Sequence, residues 1–500
     1  MAQEAKAAAT DIKDPIEAKI AKRDAMRAAG LNPYPHDYKR THMADDLQTS
    51  YKDLADGTET EDTVSVAGRV MAVRNNGMFI DLMDTSGRIQ VFCHKDSMSE
   101  EELSKLQYLD IGDIIDATGT IRRTPRGELS VRCTEVNILT KSTLPLPDKY
   151  HGLTDIEQRY RQRYVDLIMN EESKKTLLIR SKILRFLRDY LNDMGALEVE
   201  TPMLQPIMGG ASAKPFVTHH NTLGTDFYMK IACELYLKRL LVGGLAEHVF
   251  EIGRYFRNEG ISPKHNPEFT AAEGNVLYTD YNDMMELVEN MVAETVKHIH
   301  GSYEFEYDGK TLNFQAPWKR QTMCESVQEH TGIDFLNIET AEDAHKAAAE
   351  YGLKGLDPKL NWGQVVEEMF AEYVEPKLVQ PTHITDYPYE ISPLAKLHQQ
   401  NDRLVERFES FVNGWEIANA FTEITDPDYQ HERFMEQVAQ KEAGDEEAQM
   451  LDEDYITALK IGLPPNGGWG LGIDRLVILL TQSSNIRDVL LFPTLKPKGD

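Results

Sequence analysis

Five hundred residues, 41% hydrophobic and 27% charged, are too many for one core, since domains usually run about 100 to 200 residues, and predict two or three globular domains. No run of about 18 apolar residues offers a membrane span, and a formal net charge of -28 excludes a polyanion binder held by counterion release alone, so any nucleic acid must meet local clusters of positive charge. Cys93, Cys133, Cys233 and Cys324 lie far apart without a CxxC, which excludes a disulfide scaffold and a Cys/His zinc site.

The first 26 residues contain no apolar core before a cleavage site, and Asp11, Asp14 and Glu17 run against an organelle transit peptide, so the expected location is cytoplasmic. EAKIAKRDAMRAAG predicts a helix with Gly30 at its C-terminal cap, broken at Pro33 and Pro35. From about 63 to 140, runs such as VSVAGRVMAV, GMFIDLMD and GRIQVFCH are punctuated by Asn-Gly, Ser-Gly and Arg-Gly, as hairpins require. Three strands, the helix-like SEEELSKLQYLD and two more strands predict a five-stranded OB-fold barrel.

STLPLPDKYHG then reads as a linker. A long amphipathic helix from Glu171 to Met194 follows, ending at Gly195 and running into the strand ALEVETPML. The predicted organisation is a helical extension over 1–60, the barrel over 61–142, a linker over 143–160, and a second domain over 161–500 with a helical insert at about 337–375. The fold class is α+β.

Three stretches of the second domain carry chemistry. In FRNEGISPKHNPEFTAAEGN, antiparallel pairing of the flanking strands places Phe269, Ala271, Glu273 and Asn275 on one face. Arg257 ends the partner strand, where its planar fork suits a carboxylate or phosphate, and Lys264 and His265 add positive charge between. A plain surface hairpin is the alternative. NGGWGLGIDRLVILLT is a glycine-rich strand entering a helix with the apolar face Ile473, Leu476, Val477 and Leu480; it is neither a P-loop nor GxGxxG, and Arg475 reaches from the first turn into the space the glycines leave. A packing contact is equally open. In DRLVERFESFVNGWEIANAFTEITDP, Glu409, Glu416, Asn419 and Glu423 sit among large apolar residues, which is costly unless they are paired or bound. Carboxylates facing a triphosphate need magnesium between them; surface glutamates on a helix are the alternative.

With these motifs in order, the chain resembles the class II aminoacyl-tRNA synthetases, and within them the lysine-type enzymes of bacteria. Motif one is the long helix plus LEVETPML, motif two FRNEG with HNPEFT, and motif three GLGIDR. The lysine subtype is carried by GGASAKPFVTHHN, ELYLKRLLVGG, WEIANAFTE and DEDYITALKIGLPPNGG. The resemblance implies an antiparallel sheet flanked by helices, a homodimer with Pro202 at its interface, and activation of lysine by ATP before transfer to tRNA(Lys). It assigns catalysis to Arg257 and Arg475. It gives ATP to Arg257, Glu259, His265, Phe269, Glu409 and Arg475, with adenine between Phe269 and Arg475, and Mg2+ to Glu409 and Glu416. It gives lysine to Glu234, Arg257, Glu273, Asn275, Asn419 and Glu423, and anticodon bases to Phe79, Gln90 and Glu128. Zinc and covalent enzyme intermediates are not implied.

Residues 64 to 141 hold 10 basic and 11 acidic residues, so the barrel is near neutral, with Arg69, Arg74, Arg122, Arg123 and Arg126 as a candidate positive surface. The chain departs from the lysine pattern at Asn275, where tyrosine is usual, next to Gly274; either a neighbour fills the space or the pocket has changed. Two alternatives remain: a paralogue that activates a related amino acid or modifies a protein lysine, and a catalytically inactive RNA-binding protein of the same fold.

Overall fold

The computed structural model describes residues 13–147, 153 and 155–498. The alanine-rich start (1–12) and much of the expected linker (148–152 and 154) lie outside the described residues. The chain divides into two compact units, Met1–Leu153 and Thr154–Asp500.

In the first unit the helix Pro15–Ala28 starts at Asp14, whose carboxylate accepts from the Ile16 N–H at 2.8 Å, with Pro15 in the first turn where its missing N–H costs nothing. Ala29 caps it, one position before the expected cap Gly30, which follows at φ 80°. Strands β1 (Glu59–Arg74), β2 (Phe79–Met83), β3 (Arg88–Phe92), β4 (Ile114–Arg123) and β5 (Leu129–Thr140) close a barrel in the order β1-β2-β3-β5-β4, with the helix Glu100–Lys105 between β3 and β4. This is the predicted OB-fold. Alternation turns Ile80, Leu82, Ile89, Val91, Ile121 and Val131 inward. A Cβ at Gly119 would stand 1.9 Å from the Arg132 carbonyl oxygen, so the β4–β5 crossing needs glycine there.

The second unit is built on a nine-stranded sheet. Its strands in chain order are β6 (Leu197–Glu198), a separate three-stranded sheet β7 (Leu204–Gln205), β8 (Val217–His220) and β9 (Thr225–Met229), then β10 (His248–Phe256), β11 (Glu268–Leu277), a hairpin β12 (Glu304–Tyr307) and β13 (Lys310–Asn313), β14 (Lys319–Thr322), β15 (Thr382–Pro388), β16 (Leu397–His398), β17 (Asn401–Val412), β18 (Trp415–Thr422) and β19 (Asn466–Gly472). The main order is β14-β15-β17-β18-β19-β11-β10-β6, with β16 paired to β17; only the two outermost pairs, β14–β15 and β10–β6, are parallel. The helices Glu171–Asp193, Tyr281–His300 and Ile473–Thr481 bury Leu187, Val288 and Leu476 in one core with Phe408, Ile417 and Leu471 of the sheet. Helices Ala341–Tyr351 and Trp362–Tyr373 fall in the stretch expected to be helical and share a second core with Ile384, Val405 and Phe411.

Two expectations change. ALEVETPML is not one strand: only Leu197–Glu198 and Leu204–Gln205 pair, separated by Pro202, which has no N–H to donate. The glutamates of 402–427 are not on a helix either. They lie on the β17–β18 hairpin, whose turn Asn413-Gly414 has φ of 51° and 71°, the primed geometry that matches strand twist.

Candidate active site

Strands β10 and β11 pair with Phe269 opposite Tyr255, Ala271 opposite Gly253, Glu273 opposite Glu251 and Asn275 opposite Val249. Their far neighbour β19 sets Gly470 against Glu273 and Gly468 against Asn275. Above these strands lies a cavity of about 620 Å³ lined by every residue expected to bind nucleotide, metal or amino acid. The plain surface hairpin is thereby replaced by a concave site.

One half is arginine-rich. The Arg257 guanidinium lies over the Phe269 ring at 5.1 Å, and its buried Nε has no hydrogen-bond partner among the described residues, a donor left for a ligand. Arg475 Nη1 donates to Glu416 Oε2 at 2.6 Å and to the Glu416 carbonyl at 2.8 Å, while Nη2 lies 3.1 Å from His265 Nε2. The adenine platform expected of Phe269 and Arg475 is thus represented by Arg257 over Phe269, with Arg475 turned to Glu416. Glu259 is exposed at the rim. Lys264 is spent on the Gly414 carbonyl at 2.9 Å and on Glu375 at 3.3 Å.

Two carboxylates face this half. Burial raises the Glu409 carboxyl to about 7, opposed by Arg407 at 2.6 Å and assisted by the like charges of Glu416 and Glu367. Burial also pushes Glu416 up, but Arg475, joined by Arg257 and Arg407, outweighs it and the net direction is down. The two groups therefore titrate apart.

The other half is acidic. Glu273 Oε2 accepts from the Cys233 N–H at 3.1 Å and from its Sγ at 3.2 Å, and burial raises its carboxyl. Glu234 opens the helix Glu234–Val242 and pairs with Lys238 one turn on. Glu423 is buried beside Lys238, and burial lifts it to about 8. Asn419 Oδ1 accepts from Arg407 Nε at 2.9 Å. Asn275 is 1% exposed and donates to Glu423 Oε1 at 2.8 Å and Asn466 Oδ1 at 3.2 Å. Beside it the Trp469 ring lies against Gly274, where a Cβ would stand 2.6 Å from it. That ring belongs to the opposite, helix-covered face of the sheet, so on the Asn275 face the amide is met by Glu423 and Asn466 alone among the described residues.

Arg407, Lys238, Trp469 and Asn466 were not foreseen. Arg407 had a signal, two positions before Glu409 on a strand and so on the same face. Lys238 had a weaker one, four residues after Glu234.

In the barrel, Phe79 and Gln90 fall on adjacent strands as expected; Gln90 Oε1 accepts from Ser130 Oγ at 2.9 Å and Glu128 is exposed. The structure adds Phe92 and His94, which period two places on the Gln90 face: the rings of Phe79 and Phe92 are 5.2 Å apart, those of Phe92 and His94 5.6 Å, and Arg122 lies 4.7 Å over Phe92. The expected arginine surface is smaller than its count. Arg69 donates to the Gly112 carbonyl, Arg74 pairs with Asp81 at 2.6 Å, and Arg123 ties the Gly127 and Tyr51 carbonyls; Arg122 lies on the aromatic face with Glu59 3.6 Å away, and Arg126 is exposed.

Known proteins match this arrangement over the same spans. A family of class II (D, K and N) tRNA synthetases matches residues 155–496, and the OB-fold nucleic acid binding domain matches residues 64–139. A lysine–tRNA ligase of Sinorhizobium medicae is 50% identical over 487 residues, covering 97% of this chain and 98% of its own. One from a Nostoc species is 50% identical over 96% and 88%, and one from Carboxydothermus hydrogenoformans 46% over 98% and 99%. With motifs two and three lining one cavity and these matches running through both units, the chain belongs to the class II tRNA synthetases and is an aminoacyl-tRNA ligase.

Proposed function

We propose that the protein activates L-lysine with ATP to lysyl-adenylate, releasing pyrophosphate, and transfers the lysyl group to the 3′ end of tRNA(Lys), releasing AMP. The observation that carries this reading is the juxtaposition, in one cavity, of an arginine with an unpartnered buried donor, the half-buried carboxylates Glu234 and Glu273, and the buried Glu423. A buried carboxylate pocket accepts an ammonium and rejects neutral side chains, which would leave its charges unpaired.

In this mechanism Arg257 grips the amino-acid carboxylate and the α-phosphate and stabilises the charge that grows on phosphorus as the carboxylate oxygen attacks. Glu273, Glu423 and Asn419 fix the amines, Phe269, Glu259, His265 and Arg475 hold the nucleotide, and no general base is needed because the attacking carboxylate is already ionised. The hard oxygens of Glu409 and Glu416 fit Mg2+, which takes one or two carboxylates and completes its shell with phosphates and water. Bound there, the ion would neutralise phosphate charge. Phe79, Gln90 and Glu128, joined by Phe92 and Arg122, would read anticodon bases by stacking and edge contacts. A cytoplasmic homodimer completes the reading, supported by exposed apolar side chains at and around motif one, Leu178, Met194, Leu197, Met203 and Leu204.

The test is amino-acid-dependent ATP/pyrophosphate exchange with each standard amino acid, ornithine and β-lysine, on protein whose sedimentation gives its subunit number. Exchange with lysine alone by a two-chain species is expected. Exchange driven by another amine, or none with lysine, overturns the substrate; a one-chain species overturns the dimer.

A further inference from the structure

Behind the amine half of the cavity stands an ammonium supplied by the chain itself. Lys238 Nζ is fully buried, donates to Glu234 Oε1 and is in ionic contact with Glu423 Oε2, which has no directed hydrogen bond; the Phe421 and Tyr455 rings lie 5.6 and 5.8 Å from it. Glu234 and Glu423 share this one resident cation, and together with Glu273, which is held by Cys233, the three carboxylates carry two negative charges beyond that of Lys238 when all are ionised. Lysine brings two ammonium groups besides the carboxylate assigned to Arg257. The charges match only if Lys238 is counted.

We propose that Lys238 is a positioning residue, a built-in counter-ion that aims Glu423 and draws it toward its charged form, so that the second ammonium of the substrate displaces a proton from it more readily. The inference rests on the lysine reading of the cavity and adds to it a residue that does not touch the substrate. Glu423 is faced by Lys238 and Glu234 from the helix Glu234–Val242, by Tyr455 from the helix Glu453–Gly462, by Asn275 from β11 and by Asn466 through Asn275. Burial and Glu234 drive it toward the protonated form; Lys238 is the largest opposing influence, ahead of Asn275. With Lys238 removed, two close buried carboxyls hold a proton between them, and an incoming ammonium has to expel it.

Lys238→Met keeps the length of the side chain and deletes the charge. In lysine-dependent exchange, K238M is expected to raise the KM for lysine about 30-fold at pH 7, with the ATP KM changed less than about twofold, and the ratio of its lysine KM to that of the wild type should fall about fivefold by pH 9. A lost packing contact would not depend on pH in this way. The double variant E234Q/K238M removes one anion with the cation and should lower the lysine KM about tenfold from that of K238M. If K238M no longer binds ATP, the double variant is read against the wild type: a lysine KM within about tenfold supports the counter-ion, and a larger loss with ATP binding intact overturns it. A K238M to wild-type ratio that is flat with pH also overturns it, leaving the lysine assignment standing. Wild-type protein that shows no lysine exchange fails at the assignment itself, and the inference falls with it.

Discussion

His248 carries the most direct pH consequence at the scale of single residues. It is 8% exposed at the start of β10, set edge-on 6.3 Å from Trp469, and its Nε2 has no partner, so burial holds its ring at about 4 instead of the usual 6.5. Below 6.5 the unfolded chain takes a proton that the folded chain refuses, so stability falls as pH drops through the window from 6.5 to 4. Between pH 7 and 5 this amounts to about 2 kcal/mol. His248→Leu should therefore show a smaller drop in Tm from pH 7 to pH 5 than the wild type; equal drops would mean that the ring is protonated in the folded state. Residues of this kind were illegible in the sequence, where HVFEIGRYF offers a strand but not the depth at which its first side chain lies. Phe269, Glu273 and Asn275 were legible because period two alone puts them on one face. Lys238 was legible only as a partner of Glu234, since a glutamate and a lysine four apart on a helix read as an exposed pair; the packing of β18 and the helix Glu453–Gly462 over it reveals a buried ammonium.

Among the elements, the glycine strand β19 decides what the acidic half can hold. A Cβ at Gly468 would lie 2.0 Å from Glu423 Oε1 and 2.9 Å from Asn275 Nδ2, while one at Gly470 would meet nothing closer than 3.6 Å. Gly468→Ala must therefore displace Glu423, and a lost hydrogen bond to a charged group is worth about 1.5–3 kcal/mol, a rise in lysine KM of about 10- to 100-fold. Gly470→Ala, on the same strand with the same change in backbone entropy, should leave that KM within about twofold. Exchange kinetics at varied lysine compare the two directly, and equal effects would show that the glycines matter for strand packing alone. The sequence indicated a glycine strand entering a helix but left ligand space and packing equally open. The register of β19 against β11 resolves this: Gly468 lies opposite Asn275 and borders Glu423, whereas the Trp469 ring packs over Gly274. ALEVETPML illustrates the opposite failure, where an apolar pattern suggested a strand and Pro202 withheld the donor that pairing needs.

For the molecule as a whole, the order of elements was legible from turn residues and periodicity, because three strands, a helix and two strands between glycine turns leave few closures other than the barrel. The site was legible mainly through the joint occurrence of three motifs, since each alone fitted a bland alternative. The net charge of -28 still requires that tRNA be held by local chemistry, and three of the five candidate arginines are committed to Asp81 or to carbonyls. The remaining resource is the half-buried row Phe79, Phe92 and His94 with Arg122 above it. Stacking of an unpaired base on an aromatic ring is worth about 1–3 kcal/mol, so Phe92→Ala should raise the KM for tRNA in aminoacylation about 10- to 100-fold. Lysine-dependent exchange needs no tRNA and should proceed at the wild-type rate in F92A. Because binding by stacking neutralises few phosphates, the salt dependence of the tRNA KM should keep its slope in F92A and become shallower in R122A only if that arginine also meets a phosphate. Unchanged aminoacylation in F92A would place base recognition away from this row, and a loss of exchange along with it would mean that the substitution had damaged more than the barrel face.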